Sequence, residues 1–410
     1  MFNSNTKSST IYLVILCAAL LGFIENKNHF SDSRYDHIPS DMIYVEGNDS
    51  ISSFIIGRTE ECNFNYVLYL QWLHNTFGKD YPEIEKCAWP DTTVWYDKIK
   101  MNDEYSNNYF GGPAFNYYPV IGVSWVQAQN YCHWKSDRLN EYLLIHETIL
   151  YKNPAQRDED NFNTEAYLDG QYEGLVNNPL YDKETGTRKV EYQDHILFPS
   201  FRLPTEAEWN LAGNCILNKK FSSQKLFSKK YFLFQLGNSG WDEDEFSELR
   251  IINPGKNRKT KSDLINSVND ETVLNNFNDN VSEWVYDVYN GQPDYENDLI
   301  KAYARCNQPR VIIADSLIAE KDFTGYIDYQ YLCDDSAGNP ILVKKYPFVL
   351  SGDSLTKKCV FVKNKTNRIY CGGTNSTPRT SKGNSLDENK SSFEIGFRCA
   401  VTIRKSITKF

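Results

Sequence analysis

Sulfur and imidazole are the groups best suited to chemistry in this 410-residue chain, which carries 10 cysteines and 6 histidines. The cysteines stand at Cys17, Cys62, Cys87, Cys132, Cys215, Cys306, Cys333, Cys359, Cys371 and Cys399. None forms a C-x-x-C pair and the histidines are scattered, so a zinc site lacks its usual spacing. In an exported protein some cysteines would pair, with Cys359 and Cys371 as a close couple. The odd number after Cys17 leaves at least one thiol over. Isolated buried thiols acting as small hydrophobes are an equally open reading. Acidic side chains cluster at Asp242, Glu243, Asp244, Glu245 and Glu248, where a solvated charged face outweighs a cation site.

The elements that would position such groups are most legible around residues 201–213. Pro204 holds Leu203 extended, and Thr205 is an N-cap whose capping box Glu208 completes three residues on. Glu206 adds negative charge to the first turn, where the helix dipole favours it. Ala207, Leu211 and Trp209 supply the buried side, and Gly213 suits the left-handed residue that ends a helix. A second strand-to-helix unit runs from Tyr118. Ser124 caps a helix through Asn140, with Trp125, Ala128, Cys132 and Leu139 inward and His133 toward solvent. Asn63–Leu73 has helical apolar spacing, with Asn63 and Asn65 as suitable caps. Residues 52–56 read as a short strand.

Composition narrows the function classes. A formal charge of −10 argues against a nucleic-acid surface. A hydrophobic fraction of 40% suffices for a core, and 14% aromatic residues suit a loop-rich fold. Lys7 followed by the apolar run Ile11–Ile24 is the length of a signal-peptide core, short of a membrane span. Residues 1–25 are therefore expected to direct export, and 26–45 to be a polar tether. Cys17 lies in that run, leaving lipidation, simple cleavage and an uncleaved anchor open.

The wording Arg202-Leu203-Pro204-Thr205-Glu206-Ala207-Glu208-Trp209 resembles the signature of the formylglycine-generating-enzyme, or sulfatase-modifying-factor, family. Further matches follow in family order: Tyr131-Cys132-His133-Trp134, Asn280-Val281-Ser282-Glu283-Trp284, Arg368–Thr374 and Ile395-Gly396-Phe397-Arg398-Cys399. The resemblance implies an irregular α+β fold related to C-type lectins. It would form a single domain over 46–410, with long insertions near 149–197 and 291–367. Arg202, Pro204, Thr205, Glu206, Glu208, Trp209, Trp284, Gly396, Phe397 and Arg398 would carry the fold signature. Relatives hold a structural Ca²⁺ in the loop matching 278–289, and Asn280 and Glu283 would suit that ion. The bland alternative is that Trp284, Val285 and Val288 are core and the acids cap turns.

Catalysis in the family needs a pair of copper-binding cysteines just after the Gly-Gly motif, because Cu(I) prefers thiolate. Here that stretch, Thr374–Lys382, contains no cysteine, and no histidine triad of the related iron enzymes is present. No catalytic or cofactor-binding residue is therefore assigned. Pro90–Trp95, Pro113–Pro119, Asp137–Glu141, Asn163–Leu168 and Leu386–Asn389 resemble a non-catalytic branch. These are the gliding-motility lipoproteins of the J type, and less closely the K type, of the type IX secretion machinery. That resemblance implies a structural lipoprotein on the periplasmic side of the outer membrane, with a K-type sister lipoprotein as partner. The alternatives are a copper or iron oxidase with a rearranged site recruiting Cys371, and a lectin-like glycan binder.

Overall fold

A computed structural model of the chain describes residues 41–95, 109–217, 281–289, 367–372 and 384–402, apart from scattered positions within 111–195. It also describes the backbone of four strands between 329 and 360. Helices and short strands are mixed along the chain, in an irregular α+β arrangement.

The strands β1 (Met42–Val45) and β2 (Phe54–Gly57) pair antiparallel, and the last strand, β13 (Ala400–Thr402), pairs with the other side of β2. The expected tether therefore ends sooner than residue 45. Met42, Ile43 and Val45 are buried, and an apolar run of that kind gains more from a sheet than from solvent. Helix α1 spans Asn63–Phe77, followed by α2 (Pro82–Ala88) and a 3₁₀ turn at Thr92–Trp95. The N-cap of α1 is Cys62, without a side-chain cap. Asn63 and Asn65 are inside the helix rather than capping it. Asn63 Nδ2 instead donates to the carbonyls of Tyr109 and Phe115, at 2.9 and 3.0 Å.

Ser124 does cap α3 (Trp125–His146), in a capping box with Gln127. The approach to it is not the strand expected. It is largely buried but turns at Gly122, whose φ is +77°, and its hydrogen bonds go to scattered loops: Val120 N–H to Glu61 O, Gly122 N–H to Ser392 O, and Asp91 N–H to Gly122 O. His133 is half-buried.

The segment after α3 holds α4 (Thr164–Asp169) and the hairpin β3 (Leu180–Asp182)–β4 (Gly186–Arg188). It packs back on the end of α3 through a cluster of Leu144, Ile149, Leu150, Phe162, Tyr167, Val190 and Leu197. Helix α5 spans Glu206–Leu217. Gly213 lies within it rather than ending it.

Strand β5 (Ser282–Val288) is central to a four-stranded sheet ordered β11 (Asn384–Asp387), β10 (Asn367–Gly372), β5, β12 (Ile395–Gly396). Between β5 and β10 lie the hairpins β6 (Tyr329–Asp334)–β7 (Pro340–Lys344) and β8 (Val349–Ser351)–β9 (Lys358–Val360). The acidic cluster at 242–248 and Cys17 lie outside the described residues. Tyr289 N–H donates to Asn367 O at 2.8 Å, so the stretch between them leaves and re-enters at one point.

Packing of α5 on both sheets forms a core of Ile43, Val45, Phe54, Ile56, Trp209, Ala212, Val285, Ile369 and Ala400. No helix among the described residues is long and apolar enough to cross a membrane.

Candidate functional site

The signature residues converge on the start of α5. Arg202 exchanges backbone hydrogen bonds with Ala400, at 2.9 and 2.7 Å, fixing the extended entry before Pro204. Thr205 and Glu208 form the expected capping box: Glu208 N–H donates to Thr205 Oγ1 at 3.1 Å, and Thr205 N–H to Glu208 Oε2 at 2.8 Å. The same carboxylate takes a two-pronged contact from Arg202, at 2.7 and 2.6 Å. Glu206 N–H donates to Asp287 Oδ2 at 2.6 Å, and Tyr286 N–H to Pro204 O at 2.8 Å, so β5 is clamped to the helix entry.

One turn into α5, Trp209 Nε1 donates to Glu283 Oε2 at 2.8 Å. Glu283 is fully buried and faces Arg398, whose Nε lies 2.6 Å from Oε2 and whose Nη2 lies 2.5 Å from Oε1. Arg398 Nη1 also donates to Gly57 O at 3.0 Å, and Glu60 lies 3.9 Å away. Burial alone would lower the arginine pKa; the charges of Glu283, Glu60 and Glu61 override it and hold the pKa above its ordinary value. Glu283, named above as a calcium ligand, thus has both oxygens on neighbouring side chains, and Asn280 lies outside the described residues. Among the described residues no group of three or more His, Cys, Asp or Glu is placed to hold a metal ion.

The remaining signature residues frame this pair. Gly396 stands beside Glu283 in parallel register, and a Cβ there would come within 3.0 Å of Val120 O. Phe397 is buried with its ring edge on Tyr131, centroids 5.4 Å apart. Trp284 Nε1 donates to Val123 O at 3.0 Å, and Trp125 Nε1 returns a bond to Val285 O at 2.8 Å. Of the alternative reading, Trp284 and Val285 are fully buried core, whereas Val288 is half-buried and Glu283 pairs with Arg398 rather than capping a turn.

Further buried ion pairs escaped the sequence reading. Lys135 Nζ lies 2.5 Å from Glu61 Oε1, while Tyr131 OH and Asn65 Nδ2 donate to Glu61 Oε2 at 2.9 and 3.1 Å. Burial would raise the pKa of Glu61, but the charge and hydrogen bonds of Lys135 bring it below its usual value. The second is Arg368, whose Nε donates to Glu388 at 2.9 Å and whose guanidinium lies 3.8 Å from the centroid of the Trp125 ring. The signal for Lys135 was present: it falls on the inward stripe of α3, one turn after Cys132, where a charge must find a partner.

Two of the branch-resembling motifs bind each other. Asp137 Oδ1 accepts from Thr164 N–H at 2.8 Å, and Asn140 Nδ2 donates to Thr164 Oγ1 at 3.2 Å and Phe198 O at 3.0 Å. Arg138 pairs with Glu141 at 2.7 Å, donates to Phe162 O and lies over the Trp72 ring. Asn163 caps α4 through Ala166 N–H at 2.8 Å. These polar contacts bolt the first insertion to α3.

Cys371 is a free thiol on β10, half-buried against the α5 core, so the expected pairing with Cys359 is not formed. Its register neighbour on β5 is Glu283. Burial, then the charges of Glu206, Asp287 and Glu283, push its pKa far above the ordinary thiol value. A thiol held protonated is a poor nucleophile and a poor soft-metal ligand. The stretch Thr374–Lys382 lies outside the described residues.

Residues 46–403 match the family model of the sulfatase-modifying factor enzyme 1-like domain. The chain belongs to that family. No curated protein matches. Among solved structures, a crystal structure of CarF shares 13% identity with this family member, covering 88% of this chain and 93% of that one, at a TM-score of 0.30. Treponema denticola variable protein 1 shares 12% identity over 86% and 85%, at a TM-score of 0.23.

Proposed function

We propose that this chain is a structural, non-catalytic lipoprotein of the type IX secretion and gliding-motility machinery, working on the periplasmic side of the outer membrane. Its expected partner is a K-type sister lipoprotein. The observation that carries the reading is the pair of facts at the family's catalytic position. The stretch after Gly373 has no cysteine, and the nearest thiol, Cys371, is kept protonated among carboxylates. A soft metal needs thiolate, which this setting disfavours.

The framework charges that converge on α5 and β5 neutralise one another in buried pairs, and this supports shape as the working property. The insertion after α3 is fastened by the motifs that resemble the gliding-motility branch. Insertions held in place in this way offer surface for the roughly 1,000 Å² or more that a stable assembly contact buries.

Two measurements test the reading. Deleting the gene should reduce secretion and lower the level of the K-type lipoprotein, and the tagged full chain should recover that lipoprotein from membranes. Unchanged secretion and unchanged partner level would sink the proposal. The purified protein should hold no stoichiometric copper or iron; a bound metal lost in Cys371→Ser would instead establish an oxidase.

A further inference from the structure

Helix α2 and strand β9 are far apart in sequence, yet their Cα atoms approach within 8 Å. Each carries one cysteine, Cys87 in the last turn of α2 and Cys359 at the middle of β9. We infer that these two form a disulfide, which fastens the long excursion between Tyr289 and Asn367 to the body of the fold. Such a bond needs Cα atoms about 4.4–6.8 Å apart. Because β9 is three residues long, an approach to it is an approach to Cys359 or to a residue about 3.4 Å along the strand. On the α2 side, Ile84 and Ala88 are buried and Cys87 stands beside them, half-buried. Gln127 Nε2 donates to Cys87 O at 2.8 Å and to Trp89 O at 2.9 Å, so this end of α2 is fixed on α3. Strand β9 pairs with β8, Cys359 opposite Leu350, in a two-stranded sheet. A ribbon of two strands is marginal by itself and gains most from an anchor. The other described cysteines are placed elsewhere: Cys62, Cys132 and Cys399 are fully buried, and Cys215 and Cys371 pack on the α5 core.

Making the bond removes a proton from each thiol and two electrons from the pair. The oxidant is itself a disulfide, either oxidised glutathione or that of a thiol oxidoreductase. One cysteine thiolate attacks it and expels a thiol. The second then attacks the mixed disulfide and expels the other. Such a partner can reach α2 in the folded chain, because Lys86 and Trp89 on either side of Cys87 are exposed. The pairing follows from the fold, and it rests on the proposed export only for an oxidising compartment.

The folded full chain is held in a glutathione redox buffer, alkylated in denaturant without reduction, and digested. The peptide map should join Cys87 to Cys359. The same link should appear in Cys371→Ser, and in Cys87→Ser it should be lost with Cys359 recovered alkylated. Trypsin should cut between residues 329 and 360 at least about threefold faster once the bond is reduced, because the anchored ribbon opens less often. Recovery of Cys87 and Cys359 as alkylated thiols, or of either linked to another cysteine, would overturn the inference. Equal cutting rates would overturn the fastening. A map of the protein drawn from its own membranes keeps this inference apart from the proposed function: a link made in the buffer and missing there counts against export and leaves the pairing intact.

Discussion

Two of the arginines that grip a carboxylate through two nitrogens, Arg188 end-on through Nη1 and Nη2 and Arg398 side-on through Nε and Nη2, do so in very different surroundings. In the hairpin after α4, Arg188 contacts Asp194 through two bonds of 2.7 Å, with side chains 29% and 15% exposed. In the core, Arg398 contacts Glu283 with side chains 0% and 1% exposed. Near water the charges are well solvated when apart, so pairing adds little. In the interior the two charges depend on each other, on Trp209 and Gly57, and on Glu60 3.9 Å from Arg398, for what solvent would have supplied. A two-pronged contact therefore marks a decoration in one place and a keystone in the other.

The sharpest way to break this contrast is Glu283→Gln, which removes the counter-ion bonded to Arg398 and leaves only Glu60, 3.9 Å away. A loss of about 3–5 kcal/mol in denaturant unfolding is expected; a loss below about 1 kcal/mol would mean the pair is not the centre of the fold.

A second measure uses pH. Burial, then Glu206 and Glu208, push the Asp287 carboxyl from 3.8 up to about 6, against the opposing hydrogen bond from Glu206 N–H. Asp287 faces those two carboxylates and the Cys371 thiol. The folded chain holds this proton more tightly than the unfolded one, so the contribution is favourable below about 4 and is lost as pH rises through about 6. Asp287→Asn keeps an acceptor for Glu206 N–H and removes the titration. Relative to wild type it should be about 1–3 kcal/mol better at pH 7 than at pH 4; a flat difference across that range would refute the assignment.

Smaller effects complete the series. Thr205→Ala, which removes one half of the α5 capping box, should cost about 1 kcal/mol. Asp194→Ala should cost less than about 1 kcal/mol and should shrink further in high salt. Were Asp194→Ala to match Glu283→Gln, the difference in burial would not be what separates the forks.

What was legible in the sequence was what local chemistry fixes. The Thr205–Glu208 capping box and the Ser124 cap both formed, while the box that Gln127 completes at Ser124 went unread. The signature residues also assembled where a shared framework requires. What stayed hidden depended on contacts distant in sequence. Tyr118–Trp125 has the apolar content of a strand, but its backbone bonds go to separate loops, a choice no local pattern encodes. Gly213 carries the residue type of a helix stop, while α5 continues to Leu217 on the strength of its packing against β5 and β10. Lys135 was passed over because its partner, Glu61, comes from the segment before α1.

The hydrogen bond between Tyr289 and Asn367 has a bearing on how this chain could change over time. Since the strand pair beneath it is already closed, the cost of the excursion it bounds rises only with the logarithm of its length. Material can be added to or trimmed from that point with little consequence for the remainder. Relatives could exchange whole modules there while keeping one chassis.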